Sequence, residues 1–541
     1  MAKGKQKFFS LGSVMVLLYI MVVAFIPLAV RLRKINFQAP IETWPWFPSG
    51  VVYDFFAQFR LEVLLGLTSC IVLVALLKYY YDHDQGAIKK SYLDYPTGIF
   101  ALFLAVSALA SPFIDMAFWG FYERGEGAAA YFCYLLLFMV AANFIHDDRD
   151  KKVIFFAMLA AGVLQALVAA GQYLGYDFLQ TGFAKRILFP AEYLPLLEEG
   201  AELRARTIAK AYGFTYNPNY LGGYMAMLFP MALVLFLYSR SLMQAAAAFA
   251  VVAILGVGVV AASSTGSFLA LGLAFLFFFI LTVKDLRLYY KKLVALLLIA
   301  VCLGIGANSA VTEIVQRQVN KIVSNYAQLV GAGENEAAAY DLTEQFPEVR
   351  EKESLSIEIK RYPLDSFASG RGYIWRKSVE TVFRNNLFLG SGLDTLLYNF
   401  PLWAADRDVS RFHVGWLVDK PHNTYLQVGL GVGLLGLLVY LYMLGLHFIN
   451  YVRVYRRRGV KNNIDAIMLA VFTGWLAYLF QGLSNDSVLS NAPVFWVVFG
   501  LSVNYVQNLS RQNGSFLDLG SNDNLKIGKK RKEKNITKKK K

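Results

Sequence analysis

The stretch Lys420-Pro421-His422-Asn423-Thr424-Tyr425-Leu426-Gln427-Val428-Gly429-Leu430-Gly431-Val432-Gly433-Leu434-Leu435-Gly436 leads a polar cluster directly into an apolar run that continues to about Phe448. A run of this length reads as a membrane span, since about 18 apolar residues are enough to cross the hydrocarbon core as a helix. His422 and Asn423 are then expected at the water-facing mouth of a spanning helix. Chemistry on a polar group can meet a membrane-held substrate there.

Composition supports the reading. Of 541 residues, 57% are hydrophobic and 17% charged, and the mean hydropathy is +0.44. The apolar runs are continuous rather than alternating, which indicates helices and excludes barrel strands. The expected fold class is an all-α polytopic membrane protein with about twelve transmembrane helices. They are placed at 11–30, 61–79, 95–113, 128–145, 153–173, 220–238, 243–262, 266–283, 293–311, 424–448, 466–484 and 491–508. With both termini cytoplasmic, the short basic connections fall on one side: Lys78, Lys89 and Lys90; Arg149, Lys151 and Lys152; Arg240; Lys284, Arg287, Lys291 and Lys292; and Arg453 through Lys461. The first outer loop, with Arg31, Arg33, Lys34 and Arg60, breaks the pattern. Residues 1–311 therefore hold helices one to nine, with an outer loop at 174–219. A large outer loop at 312–423, between helices nine and ten, carries Arg371 and His422. Residues 424–508 hold the last three helices, and 509–541 form a basic cytoplasmic tail. The apolar run after Met1-Ala2-Lys3 is long and lacks a clear cleavage site, so it is read as a retained first helix.

The net charge of +15 comes largely from that tail, ending in Lys538-Lys539-Lys540-Lys541. Such a run suits anionic headgroups, and without interleaved aromatics it argues against nucleic acid. Cys70, Cys133 and Cys302 fall inside spans and read as packing residues. Almost no Asp or Glu lies within a span, which weighs against an ion-coupled transporter. His83 beside Asp82 and Asp84, and His146 beside Asp147 and Asp148, fall in short cytoplasmic loops and read as solvated charges, so no metal and no cofactor are expected.

Topology leaves His413 and His422 on the outer face, and histidine is the side chain best suited to proton transfer near neutral pH. The plainer reading is that His422 bonds loop backbone. Upstream, Ser369-Gly370-Arg371-Gly372 leads into a helical pattern with Trp375, Val379, Val382 and Phe383 on one face. Arg371 near a helix start suits a phosphate or pyrophosphate, although pairing with Asp365 explains it equally well. In Tyr212 to Gly223, Asn217-Pro218-Asn219 reads as a turn before a glycine packing seam, with Asn217 or Asn219 able to meet a sugar hydroxyl. Trp119, Tyr122 and Arg124 put aromatics and positive charge together, as an interfacial belt or a sugar-holding surface.

Taken in order, Trp119-Gly120 with Glu126-Gly127, Tyr212-Gly213 with Asn217-Pro218-Asn219-Tyr220, Ser369-Gly370-Arg371 with Trp375 and Gly390-Ser391-Gly392, and Pro421-His422-Asn423-Thr424-Tyr425-Leu426 resemble the O-antigen ligase and O-antigen polymerase superfamily. The resemblance spans about 100 to 450. It implies a bacterial inner-membrane glycosyltransferase that works without a metal. Its donor would be a glycan on undecaprenyl pyrophosphate, and its acceptor a lipid, polysaccharide or protein at the outer face. By the same resemblance His422 and Arg371 are the catalytic candidates, and Arg124, Asn217, Asn219, Asn423, Tyr425 and Trp375 the substrate-binding ones. Two positions depart from the family pattern: Thr265-Gly266-Ser267-Phe268 lacks the usual Arg, and Gly431 stands where Glu is usual. Ligase and polymerase share this donor chemistry, and a flippase for lipid-linked saccharides is the reading from another class.

Overall fold

The computed structural model describes residues 10–37, 50–81, 91–193, 210–298, 367–400 and 418–512. His83, Cys302, Asp365, His413 and the basic tail lie outside these ranges. The first helix, α1 (Leu11–Ile20), runs into a π turn at Met21–Phe25 and a 3-10 turn at Ile26–Leu28. Pro27 offers no N–H, so the ladder loosens and carbonyls are freed. Arg60, on α2 (Gln58–Tyr81), collects them: Nε donates to Ile26 O at 3.1 Å and Nη2 to Pro27 O at 3.2 Å. Arg33 pairs with Glu62 at 2.7 Å. These two arginines, part of the basic excess in the first loop, are therefore engaged by protein groups, which accounts for their presence against the charge rule.

Between α1 and α2 the described residues include two strands. Strands β1 (Arg33–Phe37) and β2 (Gly50–Asp54) pair antiparallel with Arg33 opposite Asp54, so the all-α expectation is corrected by one small strand pair. Its β-branched and aromatic residues, Ile35, Val51, Val52 and Tyr53, suit a pleated surface. Val52 packs with Met116, Phe121 and Leu397 in a cluster separate from the main core.

The remaining helices are α3 (Asp94–Ala110), α4 (Ile114–Trp119), α5 (Ala128–Phe144), α6 (Asp148–Tyr173), α7 (Gly182–Leu188), α8 (Pro218–Tyr238), α9 (Leu242–Ala262), α10 (Thr265–Leu281), α11 (Val283–Leu298), α12 (Phe367–Arg384), α13 (Leu396–Asn399), α14 (Thr424–Arg458), α15 (Asn463–Gln481) and α16 (Ala492–Gln512). Each expected span coincides with a helix, except that 299–311 lies outside the described residues. Among the described residues, seven stretches, Leu11–Leu28, α2, α6, α8, α9, α14 and α15, are long and apolar enough to cross a membrane. The pair α10 and α11 bends by 70° and makes an eighth if it is one span, while α3 and α5 are shorter apolar helices. The molecule is a polytopic, mostly helical membrane protein.

Helices α8 and α15 form its centre, with 89% and 83% of their apolar windows buried against 33% for α2 and α9. Small residues allow the close approach. A side chain at Gly474 would strike Met231, and one at Gly500 would meet Ala141 at 2.7 Å.

Helix α14 is broken at Gly433, whose φ of +72° favours glycine. Backbone polar groups released inside a membrane must be paired. The segment 387–392 supplies the partners: Ser391 N donates to Leu430 O at 2.9 Å, Gly392 N to Gly431 O at 3.0 Å, and Leu434 N to Leu387 O at 2.7 Å. A Cβ at Gly431 would overlap Leu393. The space that a glutamate would need is already filled.

Candidate functional site

Eight candidate residues separated by up to about three hundred positions gather at one end of the bundle. The organiser is the α15–α16 connection, Gly482 to Asn491, at the junction of the last two expected spans. His422 has a φ of +51°, unusual for a side chain with a Cβ, and this conformation precedes the α14 cap. Its Nδ1 lies 2.9 Å from Asp486 Oδ2. The Asp486 side chain is 1% exposed and that of His422 is 33% exposed, so the carboxylate is interior while the imidazole reaches the surface. Nε2 has no hydrogen-bond partner among the described residues. Burial alone would raise Asp486, yet the nearby His422, Lys420 and Arg124 more than offset it and hold the carboxyl below its ordinary range.

Arg371 reaches the same connection, with Nη1 donating to Ser484 O at 2.7 Å. It lies in the second turn of α12, after the helix's free N–H groups, which corrects its expected place at the helix start. Its surroundings are partly apolar, and burial lowers its guanidinium from the usual value. The α12 face carrying Val379 and Phe383 is not the one packed inside: these residues are 40% and 66% exposed, whereas Tyr373, Ile374, Ser378 and Thr381 are buried. The chosen face instead pairs Tyr373 and Ile374 with Leu396, Phe400, Val418 and Leu430. Trp375 remains partly buried, and its Nε1 donates to Pro421 O at 3.0 Å, tying α12 to the approach to His422.

Arg124 is buried rather than displayed as a surface charge. Its Nε lies 2.8 Å from Asp394 Oδ1 and its Nη1 2.5 Å from Asp419 Oδ2. Burial would lower its pKa, but the two carboxylates hold it above the usual range. Asp394 also accepts from Phe121 N at 2.7 Å, which fixes the glycine-rich turn before α5. Next to Asp419, Lys420 Nζ donates to the Tyr220 hydroxyl at 2.5 Å. Burial opposes the Lys420 charge, but Tyr220 and Asp419 more than compensate and raise its pKa. Of the three cations here, Arg124 and Lys420 are matched to carboxylates, and Arg371 is bonded to a carbonyl. Arg371 has no carboxylate within ion-pair distance among the described residues.

The asparagines are framework pieces. Asn423 Oδ1 caps α14 by accepting from Tyr425 N and Leu426 N, each at 3.0 Å, and its Nδ2 donates to Leu483 O. Asn217 caps α8 ahead of Pro218, accepting from Asn219 N at 2.8 Å. Asn219 accepts from the Ser264 hydroxyl at 3.0 Å through its side chain and from Asn485 Nδ2 at 3.0 Å through its carbonyl. The Tyr425 hydroxyl donates to Leu479 O at 2.8 Å. Seven of the eight candidates thus bear on the two segments around Asp419–His422 and Leu479–Asp486, and Asn217 alone serves only its own helix. Trp119, the other aromatic candidate surface, is half exposed. Phe268, where the family pattern has Arg, points outward at 49% exposure and adds nothing to the cluster.

Sequence reading missed Asp486, Asp394 and Asp419. Asp486 did leave a signal, since it is the only acidic residue between Asp465 and Arg511, standing alone between two apolar helices. The partners of Arg124 left none, because nearly three hundred residues separate Phe121 from Asp394. Beneath the cluster, Glu126 is fully buried and accepts from the Tyr134 hydroxyl at 2.5 Å. Burial is the main cause that pushes its carboxyl from 4.5 up to about 7. At the other end of the bundle, His447 is enclosed between the Tyr92 hydroxyl at 2.7 Å and the Ser502 hydroxyl at 2.9 Å, remote from this chemistry.

A multi-helix membrane protein with a charged, histidine-bearing site at one bundle end is the class that this fold and site define. Within it, residues 249–441 of the chain match the family model described as O-Antigen ligase, from within α9 into α14. The match supports its place in the O-antigen ligase and polymerase superfamily. No curated protein matches the chain.

Proposed function

We propose that the protein is a metal-independent glycosyltransferase that moves a glycan from an undecaprenyl-pyrophosphate donor to an acceptor at the outer face of a bacterial inner membrane. The observation that carries the reading is the His422–Asp486 pair, with Nε2 facing outward from a buried carboxylate. Asp486 accepts from Nδ1–H and fixes the tautomer, leaving the Nε2 lone pair to take a proton from an acceptor hydroxyl. That hydroxyl attacks the anomeric carbon opposite the leaving pyrophosphate, and a single displacement of this kind inverts the centre. Arg371 stabilises the charge that develops on the pyrophosphate, from a partly apolar setting that strengthens the interaction. Trp375, Asn423 and Tyr425 hold the walls of the site, while Arg124 positions it from behind. The arrangement of about twelve spans with cytoplasmic termini suits this chemistry, because it exposes the His422 end on the side where no nucleotide donor is available.

The test is transfer by the purified full-length protein from a polyprenyl-pyrophosphate-linked glycan, followed by product mass. His422→Ala is expected to abolish product, and a chelator to leave the wild-type rate unchanged. Wild-type turnover by His422→Ala, or activity lost in chelator and restored by a divalent ion, overturns the reading. Donor crossing the membrane intact with no covalent product would instead identify a flippase. In cells lacking the protein, long glycans stranded on the carrier mark a ligase, and single repeat units mark a polymerase.

A further inference from the structure

A cavity of about 470 Å³ lies at the end of the bundle opposite His422, between α6 and α9. Helices α6 and α9 pack side by side. Near the His422 end they touch closely: a Cβ on Gly258 would sit 2.9 Å from that of Ala166, and one on Gly162 would lie 3.3 Å from Leu255. Away from this seam small side chains leave a gap. Ala160 on α6, Ala247 and Ala248 on α9, and Ala232 on α8 line it, with Phe156 and Leu235. Ala160 and Ala247 are exposed on the apolar flank of the bundle, so the cavity opens sideways into the lipid region. Its volume falls within the range of about 300–1,000 Å³ found for small-molecule sites.

The mouth is polar, with cations beside it. Ser239, Gln244 and Asn463 form its rim. Arg240, between the first two, donates from Nη2 to Lys461 O at 2.8 Å, and both side chains are exposed. Lys152 stands one turn before Phe156 on α6. None of these three cations has a carboxylate partner among the described residues. Of the neighbouring carboxylates, Asp465 is buried and already held by Arg458 at 3.1 Å and the Tyr505 hydroxyl at 2.7 Å, and Asp285 accepts from the Tyr238 and Tyr455 hydroxyls at 2.8 and 2.6 Å.

An apolar slot entered from the bilayer beneath an unneutralised basic rim has the two parts that an anionic phospholipid requires, a place for an acyl chain and a place for a phosphate. We infer that this cavity holds one resident anionic phospholipid, its acyl chain between α6 and α9 and its headgroup at Arg240, Lys461 and Lys152. The site is separate from the glycan chemistry and does not depend on it.

Native mass spectrometry of the full-length protein in mild detergent tests this, with phosphatidylglycerol and phosphatidylcholine added in competition. One phosphatidylglycerol per chain is expected, at roughly tenfold preference or more, as three cations near one phosphate predict. Ala160→Trp and Ala247→Trp, which fill the slot from its exposed wall, should remove that bound lipid, while Leu102→Trp, on the exposed face of α3, should retain it. The double variant Arg240→Glu/Lys461→Glu reads the headgroup independently of any folding defect in the tryptophan variants. It should keep a lipid but lose the preference. Unchanged binding in a folded tryptophan variant, unchanged selectivity in the double variant, or a polyprenyl chain as the bound species would overturn the inference.

Discussion

The substitution Asp486→Asn bears most directly on how His422 works. It keeps size and shape at a side chain that is 1% exposed, so packing around the α15–α16 connection is preserved. What it removes is the negative charge 2.9 Å from Nδ1, together with the acceptor-only character that fixes the tautomer. An asparagine that turns its amide toward Nδ1 places the imidazole proton on Nε2, the atom that must be free to accept. A positioned general base contributes about 10²–10⁴-fold, which corresponds to roughly 3–5 kcal/mol of barrier. We expect kcat for glycan transfer to fall by about that factor, with KM for the donor little changed, since Asp486 lies behind the histidine. The assay is steady-state transfer by purified protein in nanodiscs, beside thermal unfolding of the same samples. A stable Asp486→Asn protein with near-wild-type kcat, where His422→Ala is inactive, would refute the orienting role. A raised KM with unchanged kcat would move Asp486 from the proton step to substrate binding.

Two further outcomes follow from the buried charges. Arg124→Ala leaves Asp394, whose side chain is 3% exposed, without its cation, and breaking a buried pair costs about 3–5 kcal/mol, so a lower unfolding temperature is expected before any loss of specific activity. A stable variant with a raised donor KM would instead make Arg124 a substrate ligand. Glu126 has its carboxyl raised from 4.5 to about 7, so its contribution to stability is full below about 4.5 and is lost as pH rises through about 7. Glu126→Gln should therefore unfold at a temperature that varies less between pH 5 and 8, as followed in detergent, and should match or exceed wild type at the upper end; parallel pH curves for the two proteins would exclude this titration.

Much of the architecture was legible because a bilayer demands long apolar runs. The expected spans matched helices within a few residues at 58–81, 148–173, 218–238 and 242–262. The strand pair at 33–37 and 50–54 escaped notice because Arg33-Lys34 gave a charge signal that masked the strand pattern. Its pairing joins two segments whose register cannot be read from either alone. The break in α14 was equally hidden. Val432-Gly433-Leu434 looks like any glycine-containing span, and the helix interruption depends on partners supplied by 387–392.

By itself the sequence determined that the chain lies in membranes and that His422 and Arg371 were candidates for chemistry. These follow from local hydropathy and from the properties of single side chains, so no long-range contact is needed to see them. Only the tertiary structure decided that Arg124 is a buried structural cation, that three asparagines cap or brace helices, and that Asp486 stands behind His422. Charge pairing in a low-dielectric interior depends on distance in space, and the pairs that matter here join residues 64 and 295 positions apart.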